Sequence, residues 1–73
     1  MTNSDIEVYA QCKAVLNLVN EKLGTTFELI QLRGKDFERM RLENKNGTVL
    51  CGTLAELDKV IAGILAVMKE IER

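Results

Sequence analysis

The sequence contains no histidine, no tryptophan and no proline among its 73 residues. The missing histidine removes the commonest general base and the commonest metal ligand, and the missing proline removes every proline-rich recognition motif. The two cysteines, Cys12 and Cys51, show no CxxC spacing, whereas structural zinc normally needs four clustered ligands. We therefore expect no metal and no cofactor, and we expect both cysteines to be reduced and buried on apolar faces.

The residues of a catalytic site are also scarce. Ser4 is the only serine, and the chain has no histidine to activate it. The five glycines are scattered, without a phosphate-binding GxGxxG or GxxxxGKS string. The carboxylates fall on polar helix positions, turns and exposed strand positions, where solvated side chains are the rule. The sequence thus predicts a protein that is not an enzyme and that binds no small molecule.

Length and charge limit the class of protein further. A chain of 8.2 kDa makes one domain, residues 1–73, and a formal charge of −1 gives no long-range field toward nucleic acid or membranes. No signal-peptide pattern and no apolar run of bilayer length are present, so we expect a cytoplasmic protein without a membrane partner. A core this small often gains stability from oligomerisation.

Helical periodicity marks the start of the chain. Apolar residues recur at steps of three and four, which predicts a first helix over about 5–23. Ser4 and Glu7 have the spacing of a capping box, and Gly24 supplies a left-handed end. Leu18 falls outside the apolar arc of this helix.

A second amphipathic helix is predicted over about 54–72, after a capping box formed by Thr53 and Glu56. Gly63 lies in its interior at a cost of about 1 kcal/mol relative to alanine, and it either permits a close approach of another element or is merely tolerated. The apolar stripe consists of Leu54, Leu57, Val60, Ile61, Ile64, Leu65, Met68 and Ile71.

Between the helices the sequence predicts three strands separated by short turns. Asn46 and Gly47 form the strongest hairpin signal, because both residues tolerate positive φ. Short connections force an antiparallel meander, and two amphipathic helices then cover one face of it. The fold class is therefore α+β, a two-layer α-β-β-β-α sandwich, with strands at about 25–33, 37–44 and 48–52 and a first turn at Gly34–Asp36.

The first strand has apolar residues on both sides. Phe27 and Leu29 share one face, whereas Ile30 and Leu32 share the other. Either a bulge switches faces midway or both faces are partly covered. Whichever pair faces away from the helices, together with Leu18, favours association with a second copy or an obligate partner.

The central hairpin offers a candidate binding surface. Phe37, Arg39 and Arg41 alternate along the predicted second strand and so share a face. Such a row binds proteins, where aromatics and arginine are enriched, or stacks bases and contacts phosphates, or simply keeps an exposed strand soluble. Residues 31–47 carry an excess of two positive charges, from Arg33, Lys35, Arg39, Arg41 and Lys45 against Asp36, Glu38 and Glu43.

The element order resembles that of the double-stranded-RNA-binding domain. Lys22-Leu23-Gly24 at the end of the first helix and Phe27-Glu28-Leu29 at the start of the sheet look like that family's local pattern. The resemblance implies contact with duplex RNA through a lysine-rich start of the second helix, a position that reads Leu54-Ala55-Glu56-Leu57-Asp58 in this chain.

The chain also resembles small accessory proteins of phages and mobile elements, including anti-CRISPR and other anti-defence inhibitors. The segment Gly52-Thr53-Leu54, followed by Glu56 in an amphipathic helix, is similar to theirs. The resemblance implies inhibition by contact with a larger protein.

The sequence therefore predicts a small protein-interaction module that is homodimeric and acts as an accessory or inhibitory factor. The candidate partner-binding residues are Phe37, Arg39, Arg41, Ile30 and Leu32. Two alternatives stay open, a weak nucleic-acid-binding domain and a self-assembling structural component.

Overall fold

The computed structural model describes residues 3–32 and 37–72 and, of Asn3, the backbone alone. The predicted α+β class and element order are confirmed, with three antiparallel strands in one sheet of order β1-β2-β3. The predicted turn at Gly34–Asp36 lies outside the described residues. The elements are α1 (Asn3–Leu23), β1 (Glu28–Gln31), β2 (Met40–Asn44), β3 (Gly47–Gly52) and α2 (Leu54–Ile71).

Helix α1 starts earlier than its sequence pattern suggests. Ser4 is an internal residue of the helix, so the capping box predicted at Ser4 and Glu7 is wrong. The apolar stripe begins only at Val8, and a stripe does not fix where the first turn of a helix starts. The other end is as predicted, because Gly24 has φ 68° and donates its N–H to the Asn20 carbonyl over 2.9 Å.

Strand β1 is shorter than the predicted 25–33 because the Asn20 side chain forms hydrogen bonds with the residues that precede the strand. The Asn20 amide donates to the Phe27 carbonyl over 2.9 Å and accepts from the Phe27 N–H over 2.8 Å. The Thr25 hydroxyl also donates to Asn20 Oδ1 over 2.8 Å. The N–H and carbonyl of Phe27 therefore have hydrogen-bond partners outside the sheet, and the β1–β2 ladder begins at Glu28.

The pairing register settles which face of β1 is buried. Leu29 lies opposite Leu42, which lies opposite Leu50, and all three share the face that carries Met40. Leu29, Leu42 and Met40 are buried. Ile30 therefore points to the opposite face.

The hairpin between β2 and β3 forms where the sequence predicts it. Asn44 pairs with Gly47 across a turn at Lys45 and Asn46. Of the turn residues only Gly47 has positive φ, at 117°, whereas positive φ was expected at Asn46 as well. Asn46 instead donates its N–H to Asn44 Oδ1 over 2.8 Å, a local bond that stabilises the turn.

Helix α2 begins with the predicted capping box. The Glu56 N–H donates to the Thr53 hydroxyl over 3.2 Å, and the Thr53 N–H donates to Glu56 Oε1 over 3.0 Å. The preceding turn is fixed by a further bond of 2.9 Å from the Leu54 N–H to the Phe37 carbonyl. Three of the four free amides that a helix start presents, those of Thr53, Leu54 and Glu56, are thereby satisfied.

The two helices lie side by side on one face of the sheet and run in the same direction. Cys12 Sγ, in the middle of α1, lies 3.4 Å from Asp58 Oδ1, near the start of α2. At the ends of the two helices, Lys22 Nζ lies 3.6 Å from Glu72 Oε2. Helix α1 contacts β1, whereas α2 contacts β2 and β3. Both helices and one sheet face share a core formed by Cys12, Leu16, Leu29, Met40, Leu42, Leu54, Leu57 and Ile61.

In the part of the chain that the structure describes, neither helix combines the length and the apolar character needed to cross a membrane.

Candidate functional site

The sheet has one face packed on the helices and one face that no described element covers. We call the uncovered side the open face and define it by five residues at its centre and at one end. These are Ile30, Leu32, Arg39, Arg41 and Cys51. The structure brings four of the five sequence-predicted residues together on this face.

The centre of the open face is a row across all three strands. Ile30 of β1 lies opposite Arg41 of β2, which lies opposite Cys51 of β3. Ile30 and Arg41 are half-buried and Cys51 is exposed. An aliphatic side chain, a guanidinium and a thiol thus lie side by side on neighbouring strands, at the spacing where cross-strand side chains touch.

One end of the open face forms a depression. The ladder continues past β1 through a bond of 3.0 Å from the Leu32 N–H to the Arg39 carbonyl. Leu32 is 40% exposed, and beside it lies a shallow depression of about 450 Å³ that is also lined by Arg39 and Cys51. Glu38 lines it as well, so an apolar wall and side chains of both charges border the same concave surface. Exposed apolar and arginine side chains together are common in protein-binding sites.

The other end of the open face is acidic. Glu28 lies opposite Glu43 on the same face, and like charges placed opposite each other on a sheet are destabilising. Arg41 relieves this, because its Nε lies 2.7 Å from Glu43 Oε2. The two charges are close, but the Nε–H is not directed at the carboxylate: among the described residues that buried nitrogen has no hydrogen-bond partner. The Arg41 side chain is nevertheless 36% exposed, so part of this cation remains available on the open face.

Phe37 does not belong to the row of arginines. Strand β2 begins at Met40, three residues after the predicted start, and Phe37 lies in the turn before it. Its half-buried ring packs against the core, with its centroid 5.4 Å from that of Tyr9. The strict alternation needed to align Phe37 with Arg39 ends where the strand ends, so the predicted three-residue row is wrong at this position.

Cys51 is the functional candidate that sequence reasoning missed. It was expected to be buried, yet it is exposed, whereas Cys12 is buried as predicted. The missed signal is the strict alternation of a strand: Leu50 and Cys51 are neighbours, so only one of them faces the helices. Leu50 takes the helix side because it pairs with the buried Leu42.

The two thiols differ in their chemistry. Burial, a hydrogen bond to Asp58 and the negative charge of that carboxylate raise the pKa of the Cys12 thiol from 9.0 to about 12. Cys12 therefore stays a protonated core residue at neutral pH. Cys51 lies on the open face within reach of solvent, where thiols are modified most readily.

A second depression lies at the opposite end of the molecule and carries little chemistry. It has a volume of about 270 Å³ and lies between the segment after α1 and the β2–β3 hairpin. Its wall is fixed by a bond of 3.0 Å from the Lys45 N–H to the Thr26 hydroxyl. Within residues 3–32 and 37–72, no three histidine, cysteine or carboxylate side chains gather as metal ligands.

Comparison with known proteins found no relative of this chain. No protein-family model matches the chain, and no curated protein matches it. No solved structure matches it either. The open face, with the exposed Leu32 beside Arg39 at one end and the half-buried Ile30 beside Arg41 at its centre, is the candidate functional surface.

Proposed function

We propose that this protein is a small non-enzymatic interaction module that acts in the cytosol by binding a larger protein through the open face of its sheet. The partner presents an apolar side chain to the depression beside Leu32 and an acidic group to Arg39 and Arg41. In this role the chain serves as an accessory or inhibitory factor of the kind found in phages and mobile elements.

The observation that carries the proposal is the composition of the open face. Leu32 is exposed on a concave surface next to Arg39, and Ile30 is half-buried next to Arg41. Sheet faces that serve only as soluble exterior are polar. An apolar centre beside arginine is typical of the residues that dominate binding energy at protein interfaces.

Arg41 adds a directional requirement. Its Nε lies 2.7 Å from Glu43 Oε2, and its side chain is still 36% exposed. A carboxylate of a partner placed over the row would therefore meet the exposed part of the guanidinium, which keeps N–H donors there. Charge-assisted bonds to arginine are among the strong polar contacts at interfaces.

The nucleic-acid alternative has less support. Glu28 and Glu43 lie on the same face as Arg41, and Glu56 and Asp58 occupy the first turns of α2. Carboxylates at these positions repel a phosphate backbone, whose neutralisation supplies most of the affinity for nucleic acid. We therefore argue for a protein partner and treat RNA as an outcome of the test.

The test compares matched variants in affinity capture. Leu32→Ser removes the apolar wall of the depression, and Leu23→Ser is its control because Leu23, the last residue of α1, is similarly exposed at 38%. Arg39→Glu reverses a charge on the open face, and Lys59→Glu makes the same change on an exposed position of α2. Immobilised protein is incubated with extract of the source cell, with and without nuclease, and retained proteins are quantified by mass spectrometry.

We expect one protein to be retained in a saturable manner by the wild type and by both controls. Retention falls at least about tenfold for Leu32→Ser and for Arg39→Glu, since central interface residues often contribute about 2 kcal/mol or more. Equal retention by all variants would show that the open face is not the binding site. Capture that nuclease abolishes would replace the proposal with the nucleic-acid alternative.

A further inference from the structure

Helix α2 carries a row of apolar residues that its own domain covers only in part. Val67 and Ile71 are 58% and 64% exposed, Val60 is 36% exposed, and Ile64 between them is half-buried. At 100° per residue the four positions lie within about 60° of one another around the helix. They form a stripe beside the buried stripe, and we call this set the outer flank of α2.

The outer flank faces away from α1. Asp58 of α2 lies against Cys12 of α1, and helical spacing places the outer flank roughly opposite Asp58 around α2. Since α1 contacts β1 whereas α2 contacts β2 and β3, the outer flank lies on the β3 side of the molecule. The open face is on the other side of the sheet, so a molecule bound to the outer flank leaves the open face free.

The spacing within the outer flank is that of a coiled-coil seam. The steps from Val60 through Ile64 and Val67 to Ile71 are four, three and four residues, which is the alternation of the a and d positions in a heptad repeat. This order reads the same in both directions. Two antiparallel copies of α2, aligned about the midpoint between Ile64 and Val67, therefore place Val60 opposite Ile71 of the second copy and Ile64 opposite its Val67.

The charges beside the outer flank match the same alignment. Lys59 and Glu70 are exposed and lie about 90° from the flank, on the side of α2 that faces away from the buried Ile61 and Met68. Along the helix axis, Lys59 of one copy then comes within about 3 Å of the level of Glu70 of the other. Parallel helices would hold these charges on opposite sides of the pair. Charges that flank a seam select the partner and its direction, and here they favour a second, antiparallel copy.

The position of α2 on the sheet leaves room for the second copy. The end of α2 lies at the hairpin end of the domain, because Glu72 reaches Lys22 at the end of α1 and Thr26, shortly after α1, bonds Lys45 of the hairpin. The midpoint of the seam is about 17 Å along α2 from its start, so the hairpin end of β3 is the part of the sheet nearest to it. Strand β3 reads GTVLCG, without the charge or proline that normally keeps another chain from an edge strand.

We propose that two copies of this chain associate through the outer flanks of their α2 helices, which pack antiparallel about a two-fold axis between Ile64 and Val67. Each apolar residue of the flank leaves water against an apolar residue of the other copy, with the helix axes about 8–10 Å apart. The contact is closed, because each copy presents the same surface to the other. The proposal stands on its own and does not require the protein partner argued above.

The size of the contact sets its expected strength. The outer flank spans three helical turns, which is small beside a standard interface of about 800 Å² per partner. We therefore expect a reversible dimer with a dissociation constant of roughly 10–100 μM, weaker than interfaces of standard size. An unrelated apolar helix would cover the flank but would need the same spacing and the same flanking charges.

The first experiment measures mass by sedimentation equilibrium from about 5 μM to 1 mM protein, a range that brackets the expected constant. We expect the wild type to rise from the chain mass of 8.2 kDa toward twice that value. Val67→Glu stays at the monomer mass, because a dimer would bury its two carboxylates near the axis. Ala66→Glu, on the neighbouring exposed position well outside the flank, associates like the wild type. Circular dichroism establishes that both variants fold. A wild type that stays monomeric at the highest concentration, or a dimer that resists Val67→Glu, would overturn the proposal.

The second experiment tests the antiparallel alignment by exchanging the two flanking charges. Lys59→Glu and Glu70→Lys should each raise the dissociation constant roughly three- to tenfold, since each replaces two attractive pairs with two repulsive ones. The double variant restores both pairs with the signs exchanged and should return to the wild-type constant. Single variants that associate as the wild type does, or a double variant that associates no better than the single ones, would show that Lys59 and Glu70 of the two copies do not meet.

Discussion

The side-chain amide of Asn20 pairs with both backbone polar groups of Phe27, accepting from its N–H over 2.8 Å and donating to its carbonyl over 2.9 Å. One side chain thus replaces a strand neighbour for the residue that precedes β1. Because the Thr25 hydroxyl also donates to Asn20 Oδ1, the connection between α1 and the sheet depends on this amide.

Asn20→Ala should therefore destabilise the fold by about 1–3 kcal/mol, since it leaves part-buried backbone groups without partners. Asn20→Asp keeps the acceptor but loses the donor, and it should lie between the wild type and Asn20→Ala. Urea unfolding measures the free energy. Asn17→Ala, one turn earlier and exposed, is the control and should change stability by no more than about 0.5 kcal/mol; equal effects at both positions would contradict the role of Asn20.

Local signals were sufficient to predict the fold. The hairpin at Asn46-Gly47 and the capping box at Thr53 and Glu56 depend on residues within a few positions of one another, and both form as predicted. The limits of β1 depend instead on Asn20, seven residues from Phe27. No propensity rule assigns such a partner, which is why the strand was predicted too long.

The candidate site was predicted only in part, again because local patterns do not assign partners that are distant in the sequence. Alternation placed Ile30 and Leu32 on one face correctly, but it left open which face the helices cover, and the pairing of Leu29 with Leu42 decides that. Alternation failed at Phe37, where the chain has left the strand and the ring packs on Tyr9. It also fails to show which apolar helix residues stay exposed, since periodicity treats Val60 and Ile71 like the buried Ile61.

Gly63 should be replaceable with a gain in stability. A Cβ built at this position meets no atom within 4 Å, so the glycine permits no close approach and is merely tolerated. Gly63→Ala should stabilise the fold by roughly 0.5–1 kcal/mol, because alanine loses less backbone freedom in a helix. The melting temperature would rise by a few degrees in a domain of this size.

Gly24 provides the opposite control. Space around it is also open, but its φ of 68° lies in the left-handed region that disfavours a side chain. Gly24→Ala should therefore lower the melting temperature. A fall for both variants would show that Gly63 has a packing role absent from the structure.

The buried Cys12 thiol should make the fold sensitive to alkali. Its pKa is raised from 9.0 to about 12, first by burial and then by the hydrogen bond and charge of Asp58. The unfolded chain then releases the Cys12 proton at lower pH than the folded chain does. This contribution to stability is complete below pH 9 and is lost as the pH rises from about 9 toward 12.

Urea unfolding across that range measures the slope. Asp58→Asn keeps an oxygen for the thiol but removes the negative charge, so its loss of stability with pH should be shallower. At pH 7 a maleimide should modify Cys51 at once and Cys12 only on the time scale of unfolding. Equal labelling of both thiols in the folded protein would contradict the burial of Cys12.

The capping box of α2 should give a second, acidic pH dependence. Thr53→Ala removes the hydroxyl that accepts from the Glu56 N–H and should cost about 1 kcal/mol, whereas Thr53→Ser keeps the bond and should recover most of the loss. The bonds that Glu56 makes with Thr53, the one to the Thr53 N–H first, lower the pKa of its carboxyl from 4.5. Its contribution to stability is therefore complete above that value and is lost as the pH falls through the lowered pKa. Urea midpoints between pH 7 and 3 should fall less steeply in Glu56→Gln than in the wild type, and parallel curves would show that the carboxylate does not stabilise the start of α2.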